Sequence, residues 1–157
     1  MKFRIEKKES FQIMGLAGQE NAVEEGLGSL WTKYLDVYDP VMYNNGDTYH
    51  SAPFWQIGAY DFQSVDGKTP TIIGAEYKGC KPDIEGISMK TIPEATWIVF
   101  TFKGETGPKV GEAITRIVTE WFPQSQYVRN ESVPMLDVYP DGKIDENYKW
   151  EIWVPVN

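Results

Sequence analysis

The chain carries nearly the same pattern twice. In the first half a β-compatible run from Phe11 to Gly18 leads into a helical stretch ending at Leu30–Leu35, then into Trp55–Tyr60 and Ile72–Tyr77. In the second half Trp97–Gly104 leads into a helical stretch ending at Ile117–Phe122, then into Met135–Tyr139 and Trp150–Val156. Each half reads strand, helix, strand, strand. Each closes on a strand with a carboxylate among apolar residues, Glu76 in the first half and Glu151 in the second. A unit this small cannot bury its own apolar face, so two copies are expected to pack about a pseudo-twofold axis. The expected fold is α+β, a single domain over residues 1–157 with pseudo-repeats at about 1–80 and 87–157 and a groove where they meet. Aromatic and carboxylate side chains facing such a groove suit a flat, cationic small molecule.

Composition narrows the partners. A net charge of −8 without Lys/Arg clusters argues against binding a phosphate backbone. Aromatic residues make up 14% of the chain, including six Trp and nine Tyr; any one of them is either core filling for a small α+β protein or part of a site, and the set as a whole favours a site. Cys80 is the single cysteine, so no internal disulfide can form, which fits a reducing compartment. The segment from Met1 to Glu9 is too charged for a secretion signal, and no apolar run reaches membrane-spanning length. The expected location is the cytoplasm.

Periodicity places the elements. Residues 2–6 and 10–17 are β-compatible. From Asn21 to Tyr38 the apolar residues Val23, Leu27, Leu30, Trp31, Tyr34, Leu35 and Tyr38 recur at helical spacing, and Asn21 with Glu24 has capping-box spacing. Gly26 and Gly28 weaken that helix and suggest close packing. A loop spans 39–53. Strands at 54–62 and 70–78 form a hairpin around the Asp66-Gly67 turn, and 79–86 link the halves. In the second half, strands are expected at 87–91, 95–103, 133–139 and 148–156, and a helix at 108–122 between Pro108 and Pro123.

Strand alternation then gives faces. Ile98, Phe100 and Phe102 form one row of their strand, and Tyr148, Trp150, Ile152 and Val154 one row of the last. If the even-numbered rows cover the helices, Asp137, Tyr139, Glu151, Trp153 and Trp97 share the opposite face. Trp150 and Ile152 are then core. The strand 54–62 has mixed rows, with Trp55 and Ile57 on the same one.

Much chemistry is absent. His50 is the only histidine and lies in a Tyr-His-Ser loop, which excludes a histidine metal cluster and leaves no nucleophile elbow. Gly104, Gly107 and Gly111 lack the Lys-Ser/Thr of a phosphate loop. No metal and no cofactor are expected. What remains is carboxylates among aromatics: Glu76, Asp137 and Glu151. Each is either a solvated or ion-paired strand residue, or a site carboxylate. Glu151, between Trp150 and Ile152 and close to Trp153, is the strongest candidate for partial desolvation. A carboxylate with aromatic walls holds a lipophilic cation; with a raised pKa it can also activate water.

The stretches Ile92–Phe100, Thr119–Pro123, Met135–Tyr139 and Trp150–Val156, with the start Arg4–Glu9 and the following strand to Gly15, resemble the GyrI-like family, the bacterial transcription-activator effector-binding domain. The resemblance covers essentially the whole chain. It implies a duplicated strand-helix-strand-strand fold with a ligand groove between the copies. In regulators this domain is fused to a helix-turn-helix; here the resemblance starts within the first few residues, so a stand-alone member without direct nucleic-acid binding is expected. The family's groove carboxylate lies in a Leu-Glu-x-Tyr motif that falls on Leu136–Tyr139. This chain has Asp137 there, one methylene shorter, which keeps Glu151 and Glu76 as alternative carriers of that role. Trp97 replaces the family's Tyr after its Ile-Pro motif, and Trp55 and Ile57 lie where the first-half hairpin lines the groove.

Three functions follow as expectations. The first is binding of hydrophobic, aromatic or cationic small molecules for xenobiotic sensing or sequestration, with Asp137, Tyr139, Glu151, Trp153, Trp97, Trp55, Ile57 and Glu76 as ligand-binding candidates. The second is a hydrolase of cyclopropane-bearing xenobiotics, as in some stand-alone relatives, with Glu151, Asp137 or Glu76 activating water. The third is an inhibitor that masks a basic surface on a larger enzyme, resting on the acidic charge.

Overall fold

Short runs rich in β-branched and aromatic residues, punctuated by glycine turns, produce eight strands, and every neighbouring pair is antiparallel. The computed structural model describes residues 1–20, 28–40, 56–62, 66–79, 85–140 and 142–157; Asn21, Glu24, Gly26, His50, Trp55 and Cys80 lie outside them. β1 (Phe3–Lys8) and β2 (Phe11–Glu20) precede α1 (Gly28–Lys33), which continues into a π-helical turn at Tyr34–Tyr38. β3 (Gln56–Tyr60) and β4 (Thr69–Glu76) complete the first half. β5 (Ser88–Ile92) and β6 (Ala95–Lys103) lead to α2 (Pro108–Arg116). α2 also widens into a π turn, at Ile117–Trp121, and ends through Phe122–Gln124. β7 (Met135–Tyr139) and β8 (Lys149–Val156) close the chain.

The eight strands make one sheet in the order β1-β6-β8-β7-β3-β4-β2-β5. Outward from the central β3–β7 pair, each side reads the third, fourth and second strands of one half and then the first strand of the other. The duplication seen in the sequence is thus present in the topology, with a strand exchanged between halves. Both helices break into a π turn after their first described turns, a second sign of the repeat. Helix α2 runs one residue past Pro123, where the sequence suggested a stop. The Ser125 N–H donates to the Phe122 carbonyl at 3.0 Å and closes the end.

Both helices lie on one face of the sheet. Tyr34 and Tyr38 of the first pack with Met14, Leu16, Ile73 and Ala75 on β2 and β4. Val110, Ala113, Ile117 and Phe122 of the second pack with Ile98, Phe100, Ile152 and Val154 on β6 and β8. Each helix packs mainly on the outer strands of its own half, so among the described residues neither helix spans the central β3–β7 pair. The other face carries a second core, including Ile13, Ile57, Ile72, Trp97, Val99, Leu136, Val138 and Trp153. No described helix covers it; the sheet curls over it. Lys8 Nζ on the end strand β1 comes within 3.6 Å of Glu76 Oε1 on β4. Gly15 and Gly74 face each other in the β2–β4 ladder, and a Cβ on either would overlap the other strand's backbone. Glycine permits that close approach.

The even rows of β6 and β8 do pack beneath α2, but β7 departs from the expected parity. Asp137 lies opposite Ile152, and Leu136 opposite Trp153. Cross-strand partners share a face, so Met135, Asp137 and Tyr139 face the helices, while Leu136 and Val138 face away with Glu151 and Trp153. Asp137 and Tyr139 are therefore on the opposite side of the sheet from Glu151, Trp153 and Trp97. Residue number carries no information about register between strands, and β7 is apolar in both rows because both its faces are buried.

Candidate ligand cavity

The centre of the sheet, between the two helices, is the floor of a cavity of about 710 Å³. Trp31 and Leu35 line it from the α1 side, Val110, Gly111 and Ile114 from α2, and Gln56, Tyr60, Asp137 and Tyr139 from β3 and β7. That volume falls in the range of small-molecule sites, and the lining is dominated by apolar and aromatic groups.

Asp137 lies at the bottom, 2% exposed. Tyr139 donates to its Oδ2 at 2.7 Å and Tyr60 donates to the same oxygen at 3.1 Å. Trp31 Nε1 donates in turn to the Tyr60 hydroxyl at 2.6 Å. Every donor in this chain is directed toward the carboxylate. Trp31 also meets Tyr139 edge to face, with ring centroids 5.3 Å apart. Oδ1 has no hydrogen-bond partner among the described residues; the backbone of Asp137 and Gly58 also favours the charged form of the carboxyl. Burial pushes the Asp137 carboxyl up from 3.8 to about 6, against the hydrogen bonds from Tyr139 and Tyr60 that favour its charged form. Burial, reinforced by the Asp137 charge, raises the Tyr139 hydroxyl as well. Near neutral pH the cavity floor therefore holds one carboxylate, and among the described residues no Lys or Arg neutralises it.

Gly58 makes room for this arrangement. It lies directly across from Asp137, and a Cβ there would overlap Asp137 Oδ1 and the Tyr60 hydroxyl. Gly58→Ala is expected to displace both groups and to destabilise the protein by roughly 1–3 kcal/mol, the scale of core overpacking. Urea unfolding would measure it; an unchanged midpoint would show that the floor is loosely packed.

The remaining sequence candidates lie elsewhere. Glu151 accepts from Arg4 Nη1 at 2.8 Å and from Trp153 Nε1 at 2.8 Å. Arg4 also sits over the Trp153 ring, 5.7 Å from its centroid. Glu151 is thus an ion-paired strand residue on the far face. Glu76, 3% exposed, is held by Lys78 at 3.0 Å and approached by Lys8. It shares the face of Ile13, away from the helices. Trp97 and Trp153 pack edge to face at 5.9 Å inside that far core, where Ile57 is also buried. Trp55 is outside the described residues. Of the candidates, the structure brings Asp137 and Tyr139 to the cavity. Trp31 and Tyr60 were not among them. For Tyr60 the signal was in the repeat: Tyr60 and Tyr139 each end the third strand of their half, and both reach the same carboxylate.

The relatives share this architecture. A solved structure of SAV2435 bound to tetraphenylphosphonium is 23% identical, with a TM-score of 0.77 over 100% of this chain and 94% of that one. An integron cassette protein from the mobile metagenome of Vibrio cholerae is 16% identical, with a TM-score of 0.71 over 99% of this chain and 95% of that one. The EcmrR C-terminal domain is 13% identical, with a TM-score of 0.65 over 99% and 97%. A comparison with curated protein sequences found no match. No helix among the described residues is long and apolar enough to cross a membrane. The GyrI-like small-molecule-binding domain family matches residues 1–157, and the chain belongs to it.

Proposed function

We propose that this domain binds lipophilic aromatic cations in the cavity above Asp137, as a sensor or sequestering protein for such xenobiotics. The observation that carries the proposal is a buried carboxylate, without a cationic partner among the described residues, beneath the rings of Trp31, Tyr60 and Tyr139. A positive charge about 6 Å from that carboxylate gains about 3 kcal/mol at an effective dielectric near 20. The rings add cation–π attraction that a neutral ligand of the same shape receives only in part. SAV2435, of the same fold, is bound to a ligand of this class. Binding is favoured over hydrolysis because two tyrosyl hydroxyls donate to the Asp137 carboxylate, which weakens it as a base toward water.

Tryptophan fluorescence titration with methyltriphenylphosphonium and with neutral triphenylphosphine oxide tests this reading. Saturable binding at least tenfold tighter for the cation is expected. Equal affinity for the two, or no saturation by either, would remove the charge-based proposal. Glu151→Gln serves as the far-face control: cation affinity should stay within about twofold, with a stability loss of no more than about 1 kcal/mol from the Arg4 pair. A large affinity loss in that variant would place the ligand on the opposite side of the sheet.

A further inference from the structure

We propose that β1 is a self-pairing edge through which two copies of this chain associate about a twofold axis at Ile5. β1 ends the sheet, so one side of its backbone has no strand partner among the described residues. The Thr101 N–H donates to the Lys2 carbonyl, which sets the phase of the ladder. In an antiparallel pair the backbone groups of alternate residues point the same way. Lys2, Arg4, Glu6 and Lys8 therefore turn theirs toward β6, and Phe3, Ile5 and Lys7 turn theirs to the open edge. On the helix side this edge carries Phe3, Ile5 and Lys7, the first two apolar. Phe3 is 42% exposed and packs edge to face on Trp121 at 5.0 Å, and Ile5 is 51% exposed. An unpaired edge carrying exposed apolar residues is a template for another strand.

A second copy of β1 fits this template in one register. Outward-pointing residues must face outward-pointing residues, so the axis passes through a residue, not between two. Centring on Arg4 sets Arg4 against Arg4; centring on Glu6 sets Glu6 against Glu6. Centring on Ile5 sets Ile5 against Ile5, Phe3 against Lys7, and Arg4 against Glu6 twice. Like charges directly opposite destabilise a strand pair and opposite charges support it. Arg4 and Glu6 already meet within one chain at 2.6 Å, so pairing would build a ring of four alternating charges. The like pairs are the two Lys2–Lys8 contacts at the ends, where Lys8 is drawn toward Glu76 and lies over the Phe11 ring at 4.7 Å. β6 and β8 separate β1 from β7, so the cavity above Asp137 stays open in each copy.

Sedimentation velocity across a concentration series, together with oxidative cross-linking, tests the proposal. A six-residue edge is a small interface, so a dimer with a dissociation constant of roughly 10–100 µM is expected. Ile5→Asp sets two carboxylates on the axis at an exposed position and should weaken the dimer at least 100-fold, with circular dichroism confirming the fold. With Cys80→Ser, Ile5→Cys should form a disulfide-linked dimer much faster than Lys7→Cys, because residue 5 alone meets its own copy. A monomer at all concentrations up to about 500 µM overturns the proposal. So does a dimer unaffected by Ile5→Asp, or one that cross-links faster through position 7.

Discussion

Replacing Asp137 with Asn should weaken methyltriphenylphosphonium binding at pH 7.5 by roughly 10- to 100-fold and make the remaining affinity independent of pH. In the wild type the carboxyl has a value of about 6, so it is ionised at pH 7.5 and neutral at pH 5. Cation affinity is therefore flat at high pH and falls toward tenfold per unit below pH 6. Asn has no such transition. Stability should move the other way. A carboxyl raised in the folded state contributes stability that is fully present below its unfolded value near 3.8 and is lost as pH rises through about 6. A shift of about two units corresponds to about 3 kcal/mol. Asp137→Asn should thus gain stability relative to wild type between about pH 4 and pH 7, by up to that amount. Calorimetric titrations and urea unfolding at both ends of the range measure the two effects. A variant that binds the cation normally, or a stability difference that does not change with pH, would mean that Asp137 is not the charged group of the cavity.

Trp150→Ala should destabilise the protein by roughly 3–5 kcal/mol, the cost of a large aromatic deletion in a closed core. Trp150 is buried under α2 and stacks on Phe102 with centroids 4.6 Å apart. It also lies behind Tyr139, at 6.4 Å, so the cavity wall loses its backing. Both the urea midpoint and cation affinity should fall. Loss of affinity with an unchanged midpoint would show Trp150 to be a ligand contact and not a core residue.

These two residues show what the sequence disclosed. Trp150 was assigned to the core because its row, with Ile152 and Val154, is continuously apolar on one side and polar on the other at Lys149 and Glu151. Periodicity of that kind fixes a face. The duplicated element order and the α+β class followed from the repeat of strand and helix patterns. The faces of β7 did not follow, because Leu136, Val138 and Met135 are apolar in both rows and register is set by pairing with β3 and β8. Glu151 looked desolvated beside its tryptophans, yet Arg4, from the exchanged first strand, supplies its charge partner across 147 residues of sequence. Trp31 read as one more apolar residue of a helical stripe. Its role as a cavity wall depends on where the helix stops covering the sheet, which is a tertiary property.

A crystal structure with tetraphenylphosphonium tests the central claim most directly. The ligand is expected between α1 and α2, with phenyl groups against Trp31, Tyr60 and Tyr139 and the phosphonium centre above Asp137. A ligand bound instead on the far face, against Trp153 and Glu151, would contradict it.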